Sequence, residues 1–146
     1  MKAFFGTFTN KIDGKGRVSV PASFRAVIQG RGLTSIALHP SLFDPCLEGA
    51  GFDRFDNLLQ GTKDSFVGPA ADEAADLIMG ELRELPLDGE GRIVLPDEFI
   101  VKAHLKEQAT FVGQGWKFQI WEPSAFDGIK KAKLARVADA LKKGTP

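Results

Sequence analysis

The sequence predicts an α+β fold that is mainly β, with short helices, and that is built from two internal repeats. Three observations predict it: a thirteen-residue motif occurs twice, strand-like alternation surrounds each copy, and two stretches outside the repeats have helical spacing. The chain has 146 residues, enough for one domain or for two small halves that share a core.

The repeated motif occupies residues 12–24 and 87–99. The first copy reads IDGKGRVSVPASF and the second reads LDGEGRIVLPDEF. At an offset of 75 residues, six of the thirteen positions are identical: Asp, Gly, Gly, Arg, Pro and Phe. A duplication provides two versions of one unit. We therefore expect the unit itself to need the residues that both copies retain.

Each copy predicts the same order of elements. In the first, residues 7–12 form a strand, Asp13–Gly16 a tight turn, and Arg17–Val20 a second strand that points its valines inward. Asp-Gly and Gly tolerate the positive φ of hairpin turns, and alternate residues of a strand share a face. Proline then ends the strand and opens a short helix. The residues assigned to the two turns as structural motifs are Asp13, Gly14, Gly16, Asp88, Gly89, Gly91 and Arg92.

Further β structure is predicted after each short helix. The segments are residues 34–38 and 46–47 in the first half, and 109–112 and 116–121 in the second. The last segment alternates, which places Trp116, Phe118 and Ile120 on one face.

Two helices are predicted outside the repeats, over residues 70–85 and 124–143, because apolar residues recur there three and four apart. The apolar stripe of the second helix could pack on its own barrel or on a neighbouring subunit, and the sequence leaves both open. The resulting division is a first repeat over 4–56, a linker with a helix over 57–84, a second repeat over 85–126, and a C-terminal helix and tail over 127–146.

Charge is segregated along the chain, although 19 basic and 19 acidic residues balance overall. Residues 1–31 carry six basic residues and one acidic residue, 44–98 carry fourteen acidic and four basic, and 99–146 carry nine basic and four acidic. Such segregation is what a local electrostatic contact with nucleic acid requires.

The remaining composition indicates a cytoplasmic protein. The N-terminal residues MKAFFG lack the apolar stretch of a signal peptide. No run approaches the roughly 20 apolar residues of a membrane span, so we expect no membrane contact. The single cysteine, Cys46, excludes an intramolecular disulfide, and we expect it to be a small buried hydrophobe.

Little in the sequence indicates an enzyme, a metal site or a cofactor. His39 and His104 lie in polar, loop-like surroundings far apart in sequence, so we expect both at the surface. One cysteine provides no metal-ligand cluster of the usual spacing. Asp13 and Asp88 could suggest a protease dyad, but lysines beside Asp13 would keep it ionised, whereas a dyad shares a proton.

A tight turn alone does not explain the paired motif, because a turn does not need arginine at its fifth position. One structural explanation is an Asp–Arg ion pair within or between the halves. The other is contact with a ligand through the arginine.

The motif closely resembles the repeats of the MraZ family. The first repeat is similar over Phe4-x-Gly6 and residues 12–25, and the second over residues 87–96, with Val112-Gly113 and residues 120–122 beyond it. The resemblance covers about residues 4–126. It implies a swapped-hairpin, AbrB-like barrel in which two repeats of one chain interleave.

The resemblance also implies a function. It implies a transcriptional regulator that assembles into ring-like homo-oligomers and binds double-stranded DNA at direct repeats, in the promoter of the division and cell-wall gene cluster. It implicates Arg17 in DNA contact. The residues that we expect to contact DNA are Lys11, Lys15, Arg17 and Arg25. Such a protein would associate with the nucleoid.

The second motif departs from the first in charge. Glu90 occupies the position of Lys15, and further acidic residues flank it. We therefore expect the second turn to matter more for folding or assembly than for DNA. The alternative function for the whole chain is a protein-interaction or assembly scaffold that does not bind DNA.

Overall fold

The computed structural model describes residues 3–55 and 69–144. Its strands are β1 (Thr7–Lys11), β2 (Arg17–Ser19), β3 (Ser35–Pro40), β4 (Leu47–Ala50), β5 (Arg83–Pro86), β6 (Arg92–Val94), β7 (Gln108–Gly113) and β8 (Phe118–Trp121). Its α-helices are α1 (Ala22–Gly30), α2 (Pro69–Glu81), α3 (Asp97–Lys102) and α4 (Pro123–Lys142), and a 3₁₀ turn spans Phe52–Phe55. The α+β fold with two repeated halves is confirmed, because β1–β2–α1–β3–β4 and β5–β6–α3–β7–β8 have the same order.

The two halves interleave through their strands. One antiparallel sheet has the order β1-β7-β8-β4-β3-β5, and a second consists of β2 and β6. The first strand of each half pairs with the third strand of the other, β1 with β7 and β5 with β3. β4 likewise pairs with β8, and β2 with β6. The strand order is therefore symmetric about the β8–β4 pair, as expected for two interleaved copies of one unit.

The main hydrophobic core lies between the halves. The inward residues of both short strands, Val18 and Ile93, are buried, and so are the helix residues Phe24 and Phe99. Phe24 packs edge-on against Phe4, with 5.3 Å between ring centroids. Because residues from both repeats share this core, neither half can bury its apolar face alone.

The linker helix is shorter than the sequence pattern indicates. It was expected over residues 70–85, but α2 ends at Glu81 and β5 follows at Arg83. The prediction was wrong at this end because β5 is the first strand of the second repeat, and Leu85 pairs opposite Ile36 of β3. Residues 57–68 of the predicted linker lie outside the described residues.

Two other expectations need correction. His39 is not a surface residue: it is only 5% exposed, because β3 extends through Pro40 and the ring of Phe55 packs against it. Trp116 does not share the buried face of Phe118 and Ile120. It precedes β8 and is about half exposed, with the Arg54 guanidinium 3.8 Å from its ring centroid. His104 is exposed, and Cys46 is buried, as expected.

The C-terminal helix α4 begins at the sheet and continues beyond it. Phe126 packs near Trp121 of β8, with 6.2 Å between ring centroids. The later apolar residues Leu134, Val137 and Leu141 are each more than half exposed. The barrel of the same chain therefore leaves most of the surface of this stripe exposed.

No helix in the described ranges is long and apolar enough to cross a membrane.

Candidate nucleic-acid interface

The two-stranded sheet of β2 and β6, here called the ribbon, carries the arginines of both motifs on one face. The register pairs Arg17 with Val94, Val18 with Ile93, and Ser19 with Arg92. Val18 and Ile93 are buried, so the pleat directs the other four side chains outward. The outer face of the ribbon therefore consists of Arg17, Ser19, Arg92 and Val94.

Each Asp-Gly-x-Gly turn is hydrogen-bonded to the other half of the chain. The backbone oxygen of Gly16 accepts a bond from the N–H of Leu95 at 2.8 Å, and that of Gly91 accepts from Val20 at 3.0 Å. Within each turn, the second glycine donates to the aspartate carbonyl at 3.0 Å. The two turns therefore lie at opposite ends of the ribbon, and each is hydrogen-bonded to the adjacent strand end of the other half.

The expected positive φ is found at one glycine of each turn. φ is +79° at Gly16 and +77° at Gly91, whereas Gly14 and Gly89 do not have positive values. A Cβ on Gly16 would lie 3.1 Å from the backbone oxygen of Leu95. The second glycine is thus required by backbone conformation and by close approach of the opposite strand.

In the first turn, Asp13 organises both the backbone and the arginine. Its Oδ1 accepts bonds from the backbone N–H groups of Lys15 and Arg17, each at 2.9 Å, and its Oδ2 accepts from Arg17 Nε at 2.6 Å. The bond from the Arg17 backbone, and after it those from the Arg17 side chain and the Lys15 backbone, lower the pKa of Asp13. The pairing predicted as a structural explanation is therefore present, within the half.

In the second turn, Asp88 makes the same bonds with Glu90 and Arg92. Oδ1 accepts from their backbone N–H groups, and Oδ2 accepts from Arg92 Nε at 2.9 Å. These bonds lower the pKa of Asp88, and the bond to Asp88 raises that of Arg92. Arg92 has a further partner, because Nη2 lies 3.3 Å from Glu90 Oε1. Two carboxylates thus neutralise Arg92.

The two ends of the ribbon consequently differ in free charge. Arg17 is paired through Nε alone, and its two Nη groups make no bond to the described residues. Lys15 is exposed and makes no ion pair within those residues. At the other end, Glu90 stands in place of that lysine and forms an ion pair with Arg92. The first end presents free cationic donors.

The other two residues expected to contact DNA lie in different positions. Lys11 is exposed at the end of β1, opposite Gln108. Arg25 is on α1 and is half-buried; its Nη1 donates to the Val20 carbonyl at 2.7 Å, and its side chain crosses Gly91. The structure therefore places Arg25 against the second turn. A DNA contact by Arg25 stays a prediction.

Sequence reasoning did not assign Ser19 and Val94 to the site, although both lie on the outer face of the ribbon. The signal was available in the alternation, because the two motifs read Arg-Val-Ser and Arg-Ile-Val at equivalent positions. Reading them as a strand pair requires knowing that β2 pairs with β6.

Among the described residues, no group of three or more His, Cys, Asp or Glu side chains could hold a metal ion. Burial raises the pKa of the Cys46 thiol to about 12, so the thiolate is not available near neutral pH.

Comparison with known proteins gives one consistent family. A family model described as "MraZ protein, putative antitoxin-like" matches residues 3–73 and 78–142. A transcriptional regulator MraZ of Rhodospirillum rubrum is 42% identical over 137 residues, which cover 91% of this chain and 88% of the relative. The protein of the same name from Parvibaculum lavamentivorans is 44% identical over 141 residues, covering 94% and 86%. That from Xanthobacter autotrophicus is 37% identical over 148 residues, covering 97% and 88%.

Each of the two matched segments contains one of the two interleaved halves, and the relatives extend over nearly the whole chain. The chain belongs to the MraZ family.

Proposed function

We propose that this protein is a transcriptional regulator that binds duplex DNA sequence-specifically through the outer face of the ribbon and the first turn. The observation that carries the proposal is the hydrogen bonding of the Arg17 guanidinium. Its guanidinium is oriented by Asp13 through Nε, and both Nη groups remain free to donate.

The geometry suits a base contact in the major groove. That groove admits a two-stranded β ribbon, and a guanidinium can donate two bonds to O6 and N7 of guanine. Arg17 has two unbonded Nη groups for this purpose, and an orientation fixed in advance by Asp13 lowers the entropy lost on binding. Lys15, at the tip of the turn, and Lys11, at the end of β1, would contact phosphates.

The proposal includes assembly. One basic turn on a chain without net charge provides few phosphate contacts, so a single protomer should bind weakly. A closed ring would repeat the turn at a regular spacing, and direct repeats in a promoter would then be bound with avidity. The exposed apolar residues of α4 support such self-association. The family resemblance suggests that the DNA target is the promoter of the division and cell-wall genes. It also suggests that the protein is cytoplasmic and associated with the nucleoid.

The test is a titration of the full chain with the duplex upstream of its own gene, and with a scrambled duplex, at several salt concentrations. We expect preference for the upstream duplex and a Kd that rises with salt. Arg17→Ala should weaken specific binding by about 1–3 kcal/mol, and Lys15→Ala should reduce the salt slope by about one unit.

Arg92→Ala is the matched comparison, because Arg92 has the same place on the ribbon but two carboxylate partners. We expect it to affect folding or assembly more than DNA affinity. Loss of binding by a folded, assembled Arg92→Ala protein would contradict the assigned asymmetry. Equal, weak binding of both duplexes by the wild type would favour the scaffold alternative.

A further inference from the structure

We propose that Val94 is a specificity-determining residue whose methyl groups contact the 5-methyl group of a thymine next to the base bound by Arg17. The inference rests on the proposed function and adds to it the class of base that the ribbon recognises beside the arginine. It concerns a residue from the second repeat acting together with the DNA-contacting turn of the first.

The placement of Val94 follows from the strand register. Val94 lies directly opposite Arg17 across the ribbon, where paired side chains have Cβ atoms roughly 4.5–5.5 Å apart. The next residue, Leu95, donates to the Gly16 carbonyl at 2.8 Å, which brings Val94 beside the first turn. Although it comes from the second motif, Val94 belongs to the same end of the ribbon as Lys15 and Arg17.

Val94 also has the right chemistry for an apolar contact. It is 54% exposed, whereas its strand neighbours Ile93 and Leu95 are buried in the core. The major groove edge of the bases has one apolar group, the thymine 5-methyl. A ribbon that places Arg17 on a guanine would present Val94 to an adjacent base, because both side chains project from one face.

The equivalent position at the other end has different chemistry. Ser19 stands opposite Arg92 as Val94 stands opposite Arg17, and it offers a hydroxyl instead of two methyl groups. That end also carries Glu90 in place of Lys15. The ribbon has a symmetric backbone but asymmetric side chains, so it would bind an asymmetric sequence in a single orientation. Direct repeats, which all run in one orientation, match this property.

The experiment replaces each thymine of the upstream duplex, one at a time, by deoxyuridine, which lacks only the 5-methyl group. For the wild-type protein we expect one thymine per repeat, next to a guanine, where the replacement raises Kd about fourfold, the effect of one buried methyl group. Val94→Ala should raise Kd for the thymine duplex by a similar factor. It should also abolish the difference in Kd between thymine and deoxyuridine at that position only. A double-mutant cycle of the protein and DNA changes measures this coupling.

Two variants serve as controls. Val101→Ala removes an exposed valine on α3, outside the ribbon, and should leave the thymine–deoxyuridine difference unchanged. Val94→Thr keeps the branched shape and one methyl group, and should keep part of that difference. Melting curves confirm that each variant is folded.

The inference is overturned if folded Val94→Ala protein binds the upstream duplex specifically and shows the same deoxyuridine effect as the wild type. It is also overturned if specific binding is present but no thymine position responds, and in both cases the proposed function stands. Absence of specific binding by the wild type instead overturns the proposed function, and this inference with it.

Discussion

The carboxylate of Asp13 bonds to Arg17 twice, from the backbone N–H at 2.9 Å and from the side-chain Nε at 2.6 Å. The same carboxylate therefore closes the turn and orients the arginine. Asp88 and Arg92 repeat the arrangement, with 2.9 Å between Oδ2 and Nε. The duplicated Asp-x-x-x-Arg spacing thus has a structural basis in both halves, whereas a free, oriented guanidinium is found only in the first.

Asp13→Asn should separate these two roles of the carboxylate. The Asn oxygen can still accept from the backbone of Lys15 and Arg17, but the ion pair with Nε is lost. We expect the protein to melt close to wild type and to bind DNA more weakly, with a smaller loss than for Arg17→Ala. Asp13→Ala, which loses both sets of bonds, should melt earlier as well. Equal DNA affinity of Asp13→Asn and wild type would show that orientation by Asp13 is unimportant.

The glycine pair in each turn gives a second prediction. Gly16→Ala and Gly91→Ala place a side chain at positive φ, which should cost about 1 kcal/mol or more each. A Cβ at Gly91 would also lie 2.6 Å from Cδ of Arg25. Thermal melts should show both losses, and a DNA titration should show a further loss for Gly16→Ala alone.

Gly14→Ala and Gly89→Ala are the matched controls for that experiment. Neither glycine has a positive φ, and a Cβ at either position would meet open space. We expect both to melt near the wild-type temperature. If Gly16→Ala lowers neither the melting temperature nor the DNA affinity more than Gly14→Ala does, the turn does not require the second glycine.

His39 should make the free energy of unfolding depend on pH in mildly acidic solution. Burial lowers the pKa of His39 below its ordinary value, so the unfolded chain, which takes up a proton below about pH 6.5, is protonated at a higher pH than the folded state is. The contribution to stability is therefore complete above about pH 6.5 and is lost as pH falls through the lowered pKa. The free energy of unfolding should decrease there by at most about 1.4 kcal/mol per pH unit.

Urea unfolding between pH 7.5 and pH 5 measures this effect. In His39→Asn the decrease attributed to the ring should disappear. His104→Asn, at an exposed residue whose φ of +55° Asn tolerates, should keep the wild-type dependence. The same pH dependence in wild type and His39→Asn would contradict the assignment.

The apolar residues of α4 give the last prediction. We expect the wild type to form a closed homo-oligomer larger than a dimer, and Leu134→Glu or Leu141→Glu to dissociate it, because a charge would enter the contact between subunits. Arg136→Glu, on the opposite side of the helix, should change assembly less. Light scattering gives the mass of each protein, and a wild-type monomer at micromolar concentration would contradict the prediction.

Much of the local structure could be read from the sequence. The two tight turns, the inward positions of Val18 and Ile93, and the extent of α4 depend on turn chemistry and on periods of 2 and 3.6 residues. These signals are contained within a few neighbouring residues. The Asp–Arg pairing was also foreseen, because its partners are four residues apart in each turn.

The wrong expectations share one cause. Residues 82–85 continue a helical apolar pattern, yet β5 forms there because β3, nearly fifty residues earlier, offers an unpaired edge. His39 looks like a loop residue by its polar neighbours, and it is buried because Phe55 covers its face of β3. In both cases a long-range contact outweighs the local preference.

The sequence by itself determined the duplication and the difference in charge between Lys15 and Glu90, because both follow from comparing the two motifs. It also determined the turns and the inward-facing apolar positions, because these depend on residues close together along the chain. Only the tertiary structure decided that β2 pairs with β6. That pairing places Val94 of the second repeat beside Arg17 of the first. The tertiary structure alone also shows that the apolar stripe of α4 is largely exposed. The physical reason is that strand pairing and burial depend on which distant segments meet, and the 75-residue offset between equivalent strands leaves no local trace of that choice.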